Sequence, residues 1–140
     1  MKLDIRLECT SVNWATVSAT LRSVGMAHHA PDVHKRAFEA SHATVFVYHE
    51  ETLLGFGRAL SDGEYQAAIY DVAVIPCAQG KGIGKLIVQT ILKRIPGCNV
   101  ILYAAPGKEG FYQSLGFRRM RTGMAMFTNA TGMADKGFTE

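Results

Sequence analysis

Ile69-Tyr70-Asp71-Val72-Ala73-Val74-Ile75-Pro76-Cys77-Ala78-Gln79-Gly80-Lys81-Gly82-Ile83-Gly84-Lys85-Leu86-Ile87 is the stretch on which the fold turns. Ile69 to Val74 is apolar except for Asp71, the pattern of a strand with both faces covered. Three glycines follow within five residues, and from Ile83 the apolar spacing becomes helical, continuing through Leu86, Ile87 and Ile91. A strand therefore passes through a glycine loop into a helix. Glycines let the backbone approach a ligand closely, and the first helical turn offers N–H donors with no partner inside the helix. Those donors and the positive end of the helix dipole make an anion site. Lys81 and Lys85 add charge beside it. Gln79, Gly80, Lys81, Gly82, Ile83, Gly84 and Lys85 are the candidate binding loop.

Two familiar phosphate loops do not fit. A Rossmann fingerprint needs G-x-G-x-x-G, but counting from Gly80 lands on Lys85 and counting from Gly82 lands on Ile87. A Walker loop needs G-x-x-x-x-G-K-[ST], but Gln79 stands where its first glycine belongs and Leu86 follows the lysine. The competing reading is a glycine turn with no ligand. Against it, each glycine at a helix start carries a propensity cost of about 1 kcal/mol.

Working outward toward the N-terminus, Leu3, Ile5 and Leu7 alternate with Asp4 and Arg6 as in a half-buried strand. Ser11 or Asn13 caps a helix running to about Val24, with Trp14, Val17 and Leu21 on one face and Gly25 as its stop. A second helix opens at Pro31-Asp32 and carries Val33, Ala37 and Phe38. Ala43 to Tyr48 and Leu53 to Leu60 form a hairpin, and the turn Ser61-Asp62-Gly63 leads to a third strand, Gln66 to Val74. Beyond the glycine loop the helix runs from Gly82 to about Arg94. Val100 to Ala104 is a short strand, Lys108 to Leu115 a short helix closed by Gly116, and Thr122 to Thr128 a last strand. The order is βααβββαβαβ, a mixed α/β sheet, mostly antiparallel, flanked by helices. Residues 1–140 are read as one domain, with residues 129–140 a loose tail.

The bulk numbers narrow the function. The chain is 48% hydrophobic and 19% charged, and carries a formal net charge of +3. That balance suits an anionic small molecule, and no basic run points to nucleic acid or a membrane surface. The longest apolar-rich run, Ala67 to Ala78, is too short for a bilayer and is broken by Asp71 and Pro76. The alternating N-terminus does not resemble a signal peptide. Cys9, Cys77 and Cys98 are odd in number and widely spaced, so they read as reduced thiols of a cytoplasmic protein. His28, His29, His34, His42 and His49 lack metal-ligand spacing and read as surface or loop residues. No metal is expected.

Downstream lies Gly110-Phe111-Tyr112-Gln113-Ser114-Leu115-Gly116-Phe117. Gln79, Gly82 and Gly84 match the pattern [Arg/Gln]-x-x-Gly-x-[Gly/Ala], and the two motifs stand in order, separated by one helix and one strand. Together they resemble the acyl-CoA loop and the second signature of the GNAT superfamily of N-acetyltransferases. The resemblance is close from about Ala43 to Phe127 and covers the whole chain in element order. Within the superfamily, Ser61-Asp62 through Tyr70-Asp71-Val72 and on to Phe111-Tyr112 looks most like the arylalkylamine acetyltransferase branch of plastids and bacteria. The resemblance implies acetyl-CoA as co-substrate, a small primary amine as acceptor and a homodimer. It also implies that Val72, Ala73 and Val74 align the pantetheine arm and that Phe111 and Tyr112 border the cofactor. Many members carry an asparagine where Ala105-Pro106-Gly107-Lys108 stands here, and Lys108 reads either as a substituting charge contact or as a solvated side chain.

The chemistry then asks for named groups. An alkylammonium, with a reference pKa near ~10.4, must lose its proton before attack, and the thiolate leaving group, near ~8.5, is helped by a donor. Tyr112 matches the family's tyrosine and is the candidate general acid. Asp71 interrupts an apolar strand, where an unpartnered charge is costly, so it reads as a base, an amine anchor or a structural partner of a backbone or basic group. The family's frequent glutamate base aligns with Ala68; Glu64 and His42 are further candidates. Direct attack needs no nucleophilic residue, and no G-x-S-x-G or Cys/His signature is present. Two rival functions remain at this level, a non-catalytic CoA-binding domain and an acetyltransferase of protein termini or lysines.

Overall fold

The computed structural model describes every residue from Met1 to Glu140. The chain divides into two compact units, Met1–Leu102 and Tyr103–Glu140. The first contains β1 (Asp4–Arg6), α1 (Trp14–Ser23), α2 (Pro31–Glu39), β2 (Ala43–His49), β3 (Thr52–Ser61), β4 (Gln66–Val74), α3 (Ile83–Lys93) and β5 (Asn99–Ile101). The five strands lie in sequence order, antiparallel except for β5, which runs parallel to β4. The mixed, mostly antiparallel sheet expected from the sequence is present. No helix is long and apolar enough to cross a membrane.

Both faces of the sheet are covered. Val17, Leu21, Phe38, Phe46, Phe56 and Ala73 form one core, with Trp14 5.4 Å from Phe38 and 6.0 Å from Phe46 between ring centroids. Ile83, Ile87, Val88 and Ile91 of α3 are buried on the opposite side. Ala43 to Tyr48 is accordingly buried throughout, and this is why β2 reads as a continuous apolar run. Of the two candidate caps for α1, Asn13 holds the position. Its Oδ1 accepts from the N–H groups of Ala15 (3.1 Å) and Thr16 (3.3 Å), an arrangement worth about 1 kcal/mol.

The second unit holds α4 (Glu109–Ser114) and α5 (Ala130–Asp135), and it corrects two expectations. Thr122 to Thr128 is not a strand. Its alternation places Met124 and Met126 in solvent, 95% and 100% exposed, and breaks at Phe127, so no apolar face forms to be paired. Nor is 129–140 a loose tail. Asn129 Oδ1 caps α5 by accepting from Gly132 N–H at 3.2 Å. Gly137, at φ 88°, closes the helix, with Phe138 N–H donating to Met133 C=O at 2.9 Å. Phe138 then lies 5.9 Å from Tyr103 and 6.4 Å from Phe127 between ring centroids, an aromatic cluster that ties down the chain end.

Candidate active site

The glycine loop begins where β4 ends. Ile75 N–H donates to Leu54 C=O at 2.8 Å, Pro76–Ala78 makes a 3₁₀ turn, and Gln79 Nε2 donates back to Val74 C=O at 3.0 Å. Gly80 and Gly82 have φ of 78° and 81°, left-handed conformations that cost an L-residue with a side chain about 1–2 kcal/mol. Gly82 is the N-cap of α3, and the first bond of the helix runs from Leu86 N–H to Gly82 C=O at 3.1 Å. Between them lies the decisive feature. The six consecutive main-chain N–H groups of residues 80–85 donate to no acceptor in the protein. Lys81 and Lys85 are exposed alongside. Such a cradle suits an anion with several oxygens.

What places α3 is a pair of residues that the sequence reading passed over. A Cβ on Gly55 would lie 2.8 Å from Ala73 O and 3.0 Å from Ile87 Cδ1; one on Gly57 would lie 2.9 Å from Ile87 Cγ2. The helix rests on bare backbone, closer than any side chain there permits. The signal was visible as two glycines inside an otherwise apolar strand, a known mark of close backbone approach.

β4 also changes direction inside the site. Its pairing with β3 slips between Phe56 and Arg58, so that Asp71 and Val72 together oppose Gly57. Asp71 is the extra residue of this bulge and has φ 58°, a region that aspartate tolerates better than most residues. On the other edge, β5 pairs only with Gln66, Ala67 and Ala68. From Ile69 to Val74 that edge has no strand partner; the Val74 C=O on it accepts from Gln79 Nε2, while the main-chain groups of Ala73, opposite Phe56, point to β3. The Asp71 carboxylate is partnered: Arg58 Nε donates to Oδ2 at 2.8 Å, with the two side chains 16% and 21% exposed. Of the readings open for Asp71, the contact with a basic group is the one observed. Glu64 and His42, the weaker base candidates, are both exposed.

His34 departs from expectation. It is buried rather than at the surface, sharing the inner face of α2 with Phe38 one turn later. Its Nε2 accepts the main-chain N–H of His29 at 2.8 Å. Burial pushes its pKa below the ordinary histidine value, with Asp71 partly opposing the shift.

In the second unit, Tyr112 lies on α4, with ring centroids 4.9 Å from Phe111 and 5.8 Å from Phe117, both edge to face. Burial raises its phenol above the usual pKa of 10.0. Lys108 is the N-cap of α4 and is exposed. No group of three or more His, Cys, Asp or Glu side chains comes together as a metal site. Two open clefts of the first unit, of about 530 and 400 Å³, are lined by other residues than 79–85.

Residues 41–119 match the profile of the acetyltransferase (GNAT) domain. The chain belongs to the GNAT acetyltransferase family. An uncharacterized N-acetyltransferase, ycf52, of Gracilaria tenuistipitata var. liui is 36% identical over 121 residues, covering 81% of this chain and 60% of its own length. The chloroplastic serotonin N-acetyltransferase 2 of Oryza sativa subsp. japonica is 29% identical with the same coverage. This GNAT chain thus spans about 60% of the length of those curated relatives. The crystal structure of a probable acetyltransferase from meticillin-resistant Staphylococcus aureus superposes with a TM-score of 0.80 at 23% identity, covering 90% of this chain and 98% of the other. That likeness concerns the fold.

Proposed function

We propose that this GNAT chain, taken as one acetyltransferase domain, moves an acetyl group from acetyl-CoA to a primary amine by direct attack within a ternary complex. The observation that carries the proposal is the run of six unengaged amides from Gly80 to Lys85, which fits a pyrophosphate. The strand edge over Val72, Ala73 and Val74 has no partner strand, and the Val74 N–H directed to it offers a main-chain partner to the pantetheine arm. A main-chain N–H of this stretch serves as the oxyanion donor. The family motif implies Phe111 as a cofactor contact, and Lys108, which stands where many members carry an asparagine, is proposed as a charge contact. The rice relative is named for serotonin, a primary amine, which favours that acceptor class.

In the reaction, the neutral amine nitrogen attacks the thioester carbonyl, the carbon–sulfur bond breaks, and the ammonium proton leaves to a base or water. Asp71 Oδ1 anchors the amine or takes that proton. Tyr112 is protonated through the neutral range as any phenol of ordinary pKa 10.0 is, and burial raises it further. The phenol is a weaker acid than a thiol of pKa ~8.5, so it acts by hydrogen bonding to the departing sulfur, and the proton it passes on is restored by the one the amine releases through water.

Cys9, Cys77 and Cys98 are all free, which suits a reducing, aqueous compartment, and we place the protein in the cytoplasm. A fluorescently tagged copy tests that placement against the chloroplast named for the rice relative. The family resemblance favours a homodimer, which sedimentation measures. The activity is tested by incubating the purified chain with acetyl-CoA and a panel of primary amines. Thiol release should depend on the amine; no CoA freed above background refutes acetyl transfer.

A further inference from the structure

We infer that Arg58 is a positioning residue that aims the Asp71 carboxylate at the acceptor amine; this rests on the acyl-transfer reading above. Ordinary strand alternation from Tyr70 would send Asp71 to the α3 side of the sheet. The bulge prevents this, because Val72 takes that side, with its Cγ2 only 3.1 Å from the point a Gly57 Cβ would occupy. Asp71 is thereby turned toward Arg58, the register partner of Tyr70, and toward α2.

Arg58 is itself held from several directions. Nη1 donates to Ser41 Oγ at 3.3 Å, and Ser41 Oγ in turn donates to Ala37 C=O at 2.8 Å. The guanidinium carbon lies 5.5 Å from the ring centroids of both Phe38 and Tyr70. A guanidinium meeting a carboxylate commonly engages both oxygens. Here it divides its donors between Asp71 and Ser41, so Asp71 Oδ2 is taken and Oδ1 has no hydrogen-bond partner in the protein. The result is a fixed carboxylate with one oxygen left for a cation. Lysine at position 58 keeps the charge but cannot serve both partners through a planar fork.

The test compares wild type with Arg58→Lys, Arg58→Gln, Ser41→Ala and Asp71→Asn. Three quantities are read: Tm, the CoA dissociation constant, and kcat with KM for whichever of n-butylamine, putrescine and 2-phenylethylamine turns over best. Arg58→Lys should raise the amine KM about tenfold, the scale of one charge-assisted hydrogen bond, while CoA affinity stays within twofold. Ser41→Ala, which leaves every charge in place, should raise the same KM by a smaller factor, about threefold. An unchanged amine KM in these variants overturns the inference, as does a CoA dissociation constant that rises in step with KM. Should the wild type acetylate none of the three amines, the acyl-transfer reading fails on its own. Positioning is then read by NMR with n-butylamine as the probe. The Arg58 Nε–H resonance should move in wild type and stay still in Asp71→Asn; no movement in wild type overturns it.

Discussion

Gly57 and Ile87 are in contact so close that a methyl group on the glycine would stand 2.9 Å from Ile87 Cγ2. The same Cβ would lie 3.1 Å from Ile91 Cδ1 and 3.1 Å from Val72 Cγ2. This missing side chain, together with that of Gly55, sets the height of α3 over the sheet, and with it the position of the amides at the helix N-terminus. Gly57→Ala is expected to destabilise the protein by about 1–3 kcal/mol, the usual cost of overpacking a core. It should also weaken CoA binding, although residue 57 touches no part of the loop. Thermal unfolding and a CoA titration check both effects, and a variant with unchanged CoA affinity would separate the two.

Gly82 tests the loop itself. At φ 81°, Gly82→Ala meets no steric obstacle within 4 Å, so its cost is conformational, about 1–2 kcal/mol. Part of that strain can be relieved by turning the cap and spoiling the aim of the amides. CoA affinity should fall about tenfold with a modest loss of Tm, both measurable on the same sample by calorimetry.

At residue 71 backbone and carboxylate separate cleanly. Asp71→Gly and Asp71→Ala both remove the ion pair with Arg58, but only alanine must then hold φ 58°. The glycine variant is expected to be more stable than the alanine variant by about 1 kcal/mol, while both lose amine binding. Equal stability of the two would show that the bulge relaxes once the side chain is gone.

Tyr112→Phe removes one oxygen from a residue packed edge to face against two aromatic rings. Packing should survive, so Tm should shift little. If the phenol assists departure of the thiolate, kcat falls about 100-fold or more, the lower range for a general acid. A pH profile adds a second check. Because burial raises the phenol, the alkaline limb assigned to it should lie above pH 10 and vanish in the variant.

His34 makes stability depend on pH with a definite sign. Burial lowers its folded pKa, and its Nε2 must stay unprotonated to accept the His29 N–H. The unfolded chain binds this proton more readily, at about 6.5. The contribution is therefore fully present above that value and is lost as pH falls through and below it. Tm should decline from pH 7 toward pH 5 in wild type, and less steeply in His34→Leu.

How much of this was legible beforehand follows from the range of each interaction. The cap at Asn13, the turn at Ser61-Asp62-Gly63 and the strand–loop–helix at residues 69–93 rest on neighbours within a few positions, and pattern reading recovers such elements. His34 was misplaced because a histidine on a helix face reads as polar until one knows what covers it. The strand expected over Thr122–Thr128 had the right alternation and no partner, and alternation alone does not make a strand. The helix at Ala130–Asp135 depends on Asn129 as its cap and on Phe138 reaching Tyr103 and Phe127, the last two beyond the span of any local signal.

By itself, then, the order of residues determined the mixed sheet, the family, and a glycine loop leading into α3, because the glycines and the helix that follow β4 act through local backbone conformation. Tertiary structure alone decided the rest. Arg58 finds Asp71 through the β3–β4 register, Gly57 receives Ile87 across two layers, and Asp71 faces α2 only because one extra residue in β4 reverses the alternation. Each of these depends on strands sliding into one register, and register is settled when two hydrophobic faces are buried together.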